Sequence, residues 1–175
     1  MIKGTSVAAG PGDDTFGGGP GNDVILGGQR DDWLSGGPGD DCIYGGSWAD
    51  TINGGINDDV VSGDPGDDFL VGNTGNDVIF GGAGNDFIRG DVGDDTLYGG
   101  AGADTFFFGA TTDHDVVMDF GKHDVIDACG MGLTNWAQVE SHPTYTGEGA
   151  VLTVGSNSVL LANVTRLTTN DFLLT

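Results

Sequence analysis

The sequence predicts an all-β protein, a right-handed parallel β-roll of 18 residues per coil closed by a small C-terminal β cap. Two observations lead there: a nine-residue period that runs without insertion or deletion from Ala9 to Phe107, and one apolar residue at a fixed place in every period. A third, the glycine content of 35 in 175 residues, sets aside an ordinary single-core domain. Collagen is excluded as well, because the paired glycines recur at a longer interval than every third residue.

Residues 1–8 are a lead-in with one Lys and no apolar run, so no cleavable signal peptide is expected there. Residues 9–107 hold eleven units in one register. Their sixth column is Asp14, Asp23, Asp32, Asp41, Asp50, Asp59, Asp68, Asp77, Asp86, Asp95 and Asp104, without exception. Their eighth is always apolar: Phe16, Ile25, Leu34, Ile43, Ile52, Val61, Leu70, Ile79, Ile88, Leu97 and Phe106. The first column is glycine from the second unit on, at Gly18, Gly27, Gly36, Gly45, Gly54, Gly63, Gly72, Gly81, Gly90 and Gly99. The second is glycine except at Asp64, Asn73 and Asp91, and the fourth except at Arg30, Trp48 and Asn57.

A nine-residue unit with one inward side chain buries nothing alone, so it must stack on copies of itself. Six residues rich in Gly and Asp are expected to turn, and three, such as Val24-Ile25-Leu26, to form a short strand whose centre points inward. Two units close a coil, with the eighth-column side chains meeting between opposite strands. Eleven units then give about five and a half coils, a rod about 26 Å long at the usual strand spacing. Residues 108–175 lose the period and gain Thr, Val, Leu and Asn, which marks a separate C-terminal β cap. Within it, Ala150 to Val154 and Ser158 to Leu161 alternate and read as strands of an antiparallel end-piece.

Charge supplies the chemistry. Five Lys and Arg stand against 27 Asp and Glu, a net charge of −22, and only Glu140 and Glu148 are Glu. Without clustered basic residues, nucleic acid and anionic lipid are excluded as partners. No stretch has the apolar length of a transmembrane helix, so no transmembrane segment is expected. Stacking places sixth-column carboxylates above one another at about 4.8 Å, where neighbours repel by roughly 0.9 kcal/mol even in water. Arg30 and Arg89 cannot neutralise the 19 Asp of the repeats.

A hard divalent cation removes the conflict, since it takes six to eight oxygens from carboxylates and backbone carbonyls. Glycines at positive φ would let successive carbonyls turn toward one ion. The absence of Cys/His clusters argues against zinc, and magnesium keeps its waters, so calcium is the expected cofactor. Stacking of alternate units offers about nine sites, and nine Ca2+ would bring the charge to about −4.

The unit Gly18-Gly19-Pro20-Gly21-Asn22-Asp23-Val24-Ile25-Leu26 resembles the GGxGxDxUx repeat of the RTX (repeat-in-toxin, hemolysin-type) calcium-binding family. The resemblance implies that each ion is held by sixth-column carboxylates and loop carbonyls of two turns stacked on the same side. The units with Arg30, Trp48 and Asn57 depart from it, and weaker sites are expected there. Asp119 to Cys129 resembles, one residue shorter, the run that follows the repeats in RTX proteases and alginate epimerase modules, and the resemblance implies an extra calcium site at Asp119 or Asp124. The ending Asp171-Phe172-Leu173-Leu174-Thr175 resembles an uncleaved type I secretion signal, which implies an extracellular, secreted protein of a Gram-negative bacterium. Ice binding is disfavoured, because similar RTX ice-binders carry Thr in the third column, where this chain has it only at Thr74.

No HExxH, GxSxG, GxxxxGK[ST] or GxGxxG motif is present, and His114, His123 and His142 lack metal-ligand spacing, so no enzyme activity is expected. Cys42 and Cys129 neither demand nor exclude a disulfide. One outward face carries Val24, Leu26, Cys42, Tyr44, Val60, Val78, Phe80 and Tyr98, an apolar strip expected to lie under the cap or a neighbouring domain, with a partner or homo-oligomer contact as the alternative. The other carries Trp33, Phe69, Val71 and Phe87 among Thr and Asn, a conceivable platform for sugar rings. The expected function is a non-catalytic calcium-binding module that folds outside the cell. The alternatives are the targeting or stabilising module of a larger secreted protease, lipase or epimerase, and an adhesion module for extracellular polysaccharide.

Overall fold

The computed structural model describes residues 4–110, 113–133, 138 and 143–173. Strands follow the nine-residue period: β1 (Ser6–Pro11), β2 (Thr15–Gly17), β3 (Val24–Gln29), β4 (Trp33–Pro38), β5 (Cys42–Ser47) and β6 (Thr51–Ile56). The series continues as β7 (Val60–Pro65), β8 (Phe69–Thr74), β9 (Val78–Ala83), β10 (Phe87–Val92), β11 (Thr96–Ala101) and β12 (Thr105–Phe107). Beyond the repeats come β13 (His114–Val117), β14 (Val125–Asp127), β15 (Thr144–Tyr145), β16 (Gly149–Val154), β17 (Asn157–Ala162) and β18 (Phe172–Leu173). Odd strands β1 to β13 stack in one parallel sheet and even strands β2 to β14 in the other, the pairing within β1 to β12 joining residues 18 apart, as in Ile25↔Ile43 and Leu34↔Ile52.

This is the parallel β-roll that the period predicts, with about seven turns rather than five and a half. The extra turns lie outside the regular units. At the start, β1 pairs with β3 from Ser6 on, so the coil begins before Ala9. At the end, β13 and β14 stack on β11 and β12 with an offset of 20, as in Thr96↔Val116 and Thr105↔Val125. Two additional residues between Asp104 and Asp115 break the sequence period without breaking the stack.

Most repeat strands are also twice the expected length, six residues instead of three. The glycine pair of each unit reads as a turn by composition, yet its N–H groups join the ladder: Gly18 donates to Ser35 O at 2.9 Å and Gly19 to Gly36 O at 3.0 Å. The bend sits at the second column, where Gly28, Gly37 and Gly46 have φ of +120°, +108° and +113°. Where that column is not glycine it is Asp64, Asn73 or Asp91, side chains that tolerate the left-handed region.

The core is a single file of eighth-column residues, fully buried from Ile25 to Phe106 and extended by Val117, Ile126, Val159 and Phe172. At the C-terminal end β17 adds to β13 in parallel, and β16 then pairs with β17 antiparallel, with Ala150 opposite Leu161. The two alternating segments predicted as an antiparallel end-piece thus form β16 and β17. They prolong the sheet and do not fold over the apolar strip, whose Val24, Leu26, Tyr44 and Phe80 stay exposed. The expectation that the cap covers the strip fails for the described residues, because β17 found its hydrogen-bond partners at the sheet edge. Cys42 lies in β5 and Cys129 in a short 3-10 turn, and no disulfide joins them.

Candidate metal centre

The sixth-column aspartates form two ladders, one on each side of the roll. Asp23 N–H donates to Asp41 Oδ1 at 2.7 Å, Asp41 to Asp59 Oδ1 at 2.8 Å and Asp59 to Asp77 Oδ1 at 2.8 Å. On the other side Asp32 donates to Asp50 Oδ1, Asp50 to Asp68 Oδ1 and Asp68 to Asp86 Oδ1. Every carboxylate from Asp23 to Asp104 is buried, while Asp14, in the first coil, is half-buried. One oxygen of each is therefore used by the backbone of the preceding coil.

The second oxygen is the informative one. Oδ2 of Asp23, Asp32, Asp41, Asp50, Asp59, Asp68, Asp77, Asp86, Asp95 and Asp104 is buried with no hydrogen-bond partner. A buried carboxylate oxygen without a partner is costly, and ten in a regular file require a common explanation. Beside each lies a first-column glycine. A Cβ built on Gly36 would overlap Asp41 Oδ2 and sit 2.5 Å from Gly54 O, and one on Gly63 would overlap Asp68 Oδ2 and sit 2.7 Å from Gly81 O. The same pairing of Asp oxygen and next-coil carbonyl recurs at Gly18, Gly27, Gly45, Gly54, Gly72 and Gly81, making eight cradles; at Gly90 and Gly99 the nearest atom is again the Asp oxygen.

These glycines refine the sequence reading. Positive φ, expected of the repeat glycines without distinction of column, is found in the second and fourth columns and in none of the first. The first column needs glycine because a Cβ would fill the space between carboxylate and carbonyl. Among the described residues no three Asp, Glu, His or Cys side chains converge, so a cation in these cradles must draw on backbone oxygens as well. That donor set, carboxylate and carbonyl oxygen together, suits calcium.

The electrostatics agree. Burial pushes Asp59, Asp68 and Asp95 up to about 7, and Asp50, Asp77 and Asp86 up to about 6, against the lowering effect of the accepted N–H. Neighbouring carboxylates add to the rise, as Asp77 and Asp41 do at Asp59. Burial raises Asp32, Asp41 and Asp104 as well. Burial thus disfavours the anionic form of these groups near neutral pH, and a positive charge close by would favour it.

The ladders run further than the repeats. Asp95 donates to Asp115 Oδ1 at 3.0 Å and Asp104 to Asp124 Oδ1 at 3.1 Å. Burial pushes Asp115 up to about 9. Sequence reasoning missed Asp115, although Asp115-Val116-Val117 and Asp124-Val125-Ile126 repeat the Asp-x-apolar triplet nine residues apart. Asp119 and Asp124, the pair the resemblance offered as an extra site, are engaged differently. Asp119 accepts the N–H groups of Gly99 and Gly100 at 2.9 and 3.0 Å, and Asp124 Oδ2 accepts that of Gly121 at 2.7 Å. Both carboxylates have both oxygens satisfied by backbone.

A second, outer ladder in the fifth column was also missed. Asn76 N–H donates to Asp58 Oδ1 and Asn85 N–H to Asp67 Oδ1, at 2.8 and 2.7 Å. The signal was the Asp or Asn that fills this column in every unit except at Ala49 and Ala103. At the three fourth-column departures, Arg30, Trp48 and Asn57 take φ of +77°, +86° and +85°. Asp32, Asp50 and Asp59 of those units keep both their ladder bonds and their bare Oδ2. His114 Nδ1 lies 3.4 Å from an Asp94 oxygen, His123 is exposed, and His142 lies outside the described residues.

The repeats also match a known family. The profile of the RTX calcium-binding nonapeptide repeat (4 copies) matches residues 6–25, 17–47, 49–70, 62–97, 71–106 and 80–114. No curated protein matches the chain. Among solved structures, the extracellular lipase LipA from Serratia marcescens aligns over 89% of this chain and 38% of its own, with a TM-score of 0.59 and 22% identity, a likeness of fold. The AlgE6R3 subunit of the Azotobacter vinelandii mannuronan C5-epimerase aligns over 73% of this chain and 78% of its own, with 25% identity and a TM-score of 0.36. The chain thus spans well under half the length of the lipase.

Proposed function

Because this chain belongs to the RTX calcium-binding nonapeptide repeat family, we propose that its calcium binding is a folding switch in a non-catalytic, extracellular module. The observation that carries this reading is the file of ten buried, partnerless Asp oxygens, each beside a glycine that keeps the space open. The ligands would be Oδ2 of Asp23 to Asp104 in the sixth column and the carbonyls of the first-column glycines. Gly36 O already accepts one N–H, and its second lone pair remains for a cation. Eight cradles have both donors, against the nine expected from stacking alone, since Ala9 stands where the first unit would need glycine. Bound calcium supplies the positive charge that these turns lack.

At the low calcium of a cytosol, burying the carboxylates is opposed by desolvation, mutual repulsion and the entropy of 35 glycines, so the chain stays open. At the roughly 0.1 to 1 mM affinity of extracellular modules, the ion binds only the stacked form and draws the chain into it. Export by a type I route through the C-terminal residues fits that order, although Leu174 and Thr175 lie outside the described residues. The exposed strip of Val24, Leu26, Tyr44 and Phe80 favours a second reading, in which the module rests against the enzyme domain of a longer protein.

Titration of calcium into chelator-treated protein, followed by far-ultraviolet circular dichroism, tests the switch. A cooperative gain of β signal is expected with calcium and not with equimolar magnesium. A chain already folded in chelator overturns it.

A further inference from the structure

The even-strand face holds a feature that calcium binding does not use. Register aligns the seventh-column residues Trp33, Thr51, Phe69 and Phe87 in one row across β4, β6, β8 and β10. Phe69 and Phe87 stack face to face, with centroids 4.9 Å apart and planes 2° from parallel, so rings in this row repeat at the strand spacing. At Thr51 one ring is missing, and the row resumes at Trp33. Trp33 and Phe69 therefore flank a gap about 9.6 Å across, two strand spacings, which is room for one more ring. Both are well exposed, at 56% and 44%.

Along the strands from this gap runs a trough of about 330 Å3, floored by Gly37 and Gly55, lined by Ser35, Asn53, Asn73 and Thr74 and closed at its far end by Pro38 and Ile56. Asn73 donates to Asn53 Oδ1 at 2.8 Å, which fixes the amides at its edge. The strands that carry it, β4, β6 and β8, contain no charged residue in a chain of net charge −22. A ligand matching these features is uncharged, one ring thick with apolar faces, and rich in hydroxyls.

We propose that the gap between Trp33 and Phe69, with the adjoining hydroxyl- and amide-lined trough, binds a pyranose unit of a neutral polysaccharide. The two aromatic faces would enclose the C–H faces of the sugar, Ser35 and Asn53, two residues along from the gap row, would pair with its hydroxyls, and Thr74, about 16 Å from Phe69 along β8, would meet the next sugar of the chain. An aromatic side chain of a protein partner would fill the gap equally well but would leave the polar trough without partners. The inference needs the folded roll and nothing more from the calcium reading, so circular dichroism of each sample in calcium separates a failed fold from a failed site.

Electrophoresis in calcium-containing gels cast with hydroxyethylcellulose, galactomannan or xylan, with chondroitin sulfate as the charged control, tests it. At least one neutral glycan should retard the chain, and Trp33→Ala and Phe69→Ala should each weaken retardation about tenfold, a loss of about 1.4 kcal/mol. Thr51→Phe, which fills the gap with the ring the row lacks, should abolish retardation while leaving the melting temperature unchanged or higher. Absence of retardation by every neutral glycan, retardation by the charged glycan alone, or normal retardation of Thr51→Phe overturns the proposal. A dimer seen by sedimentation and lost in Thr51→Phe, without glycan binding, would reassign the gap to self-contact and overturn it as well.

Discussion

The regular array and the C-terminal end of the roll solve one problem in two ways. Both stack parallel strands over a one-residue core, and both bury aspartate. In the array each carboxylate has one satisfied and one bare oxygen, as at Asp59 and Asp77. In the end-piece the buried Asp124 gives both oxygens to backbone N–H groups, and so does Asp119, which is exposed. Burial alone therefore does not make a carboxylate a metal ligand. What distinguishes the array is the glycine whose missing Cβ keeps the second oxygen facing open space.

Substitutions that exchange the two solutions should separate them. The largest effect is expected from Asp77→Ala, which removes the acceptor of the Asp59 N–H and one bare oxygen together. The calcium midpoint should rise about tenfold or more, and stability in saturating calcium should fall by about 1–3 kcal/mol. Asp119→Ala, which strands two N–H groups at the end of the stack, should lower the melting temperature by thermal scan yet leave the number of ions counted by calorimetry unchanged. If both variants lose the same ions, the distinction drawn between the two regions is wrong.

Gly54→Ala should come next. Its Cβ would meet Asp59 Oδ2 at 2.7 Å and Gly72 O at 2.9 Å, a crowding worth about 1–3 kcal/mol and a several-fold rise in the calcium midpoint. Gly121→Ala, whose nearest neighbour is Asp124 Oδ2 at 3.3 Å, should titrate close to the unchanged protein. Equal midpoints in circular dichroism for the two would mean that the first column is not a cradle.

The smallest effect is that of pH without metal. Burial first, and neighbouring charge after it, raise Asp59, Asp68 and Asp95 from 3.8 to about 7 in the folded stack. The folded state then binds more protons than the unfolded one between those values, so stability is present near pH 4 and is lost as pH rises toward 7, the reverse of a salt-bridged aspartate. Partial recovery of β signal in chelator near pH 4 to 5 is the expected result. An apo chain equally unfolded at pH 4 and pH 7.5 would show that the carboxylates are not what opposes stacking.

Much of this was legible because the repeat exposes it: an invariant sixth column and an apolar eighth cannot be read another way, and both the stack and the buried Asp file follow from them. The rest was hidden for physical reasons. Composition marks the glycine pair as a turn, but ladder bonds such as that from Gly19 to Gly36 hold it in the strand, and only coordinates show which glycine bends and which makes room. The two residues inserted before Asp115 shift the period while leaving stacking intact, because a loop between coils absorbs length that a column count cannot. The fifth-column ladder went unread because a single exposed Asp or Asn does not reveal the N–H it accepts from the next coil, and only the repetition down the column hints at it.

The aspartate ladders also have a direction in time. In the sixth column the donor is always the earlier residue and the acceptor the later one, Asp23 to Asp41, Asp41 to Asp59, and so to Asp115 and Asp124, whereas the outer fifth-column ladder runs the other way. A chain made from its N-terminus forward cannot close the sixth-column bonds of any coil until the next coil has appeared. The array is thus a queue in which each member is latched by its successor, and the last latch is delivered by residues beyond the final repeat.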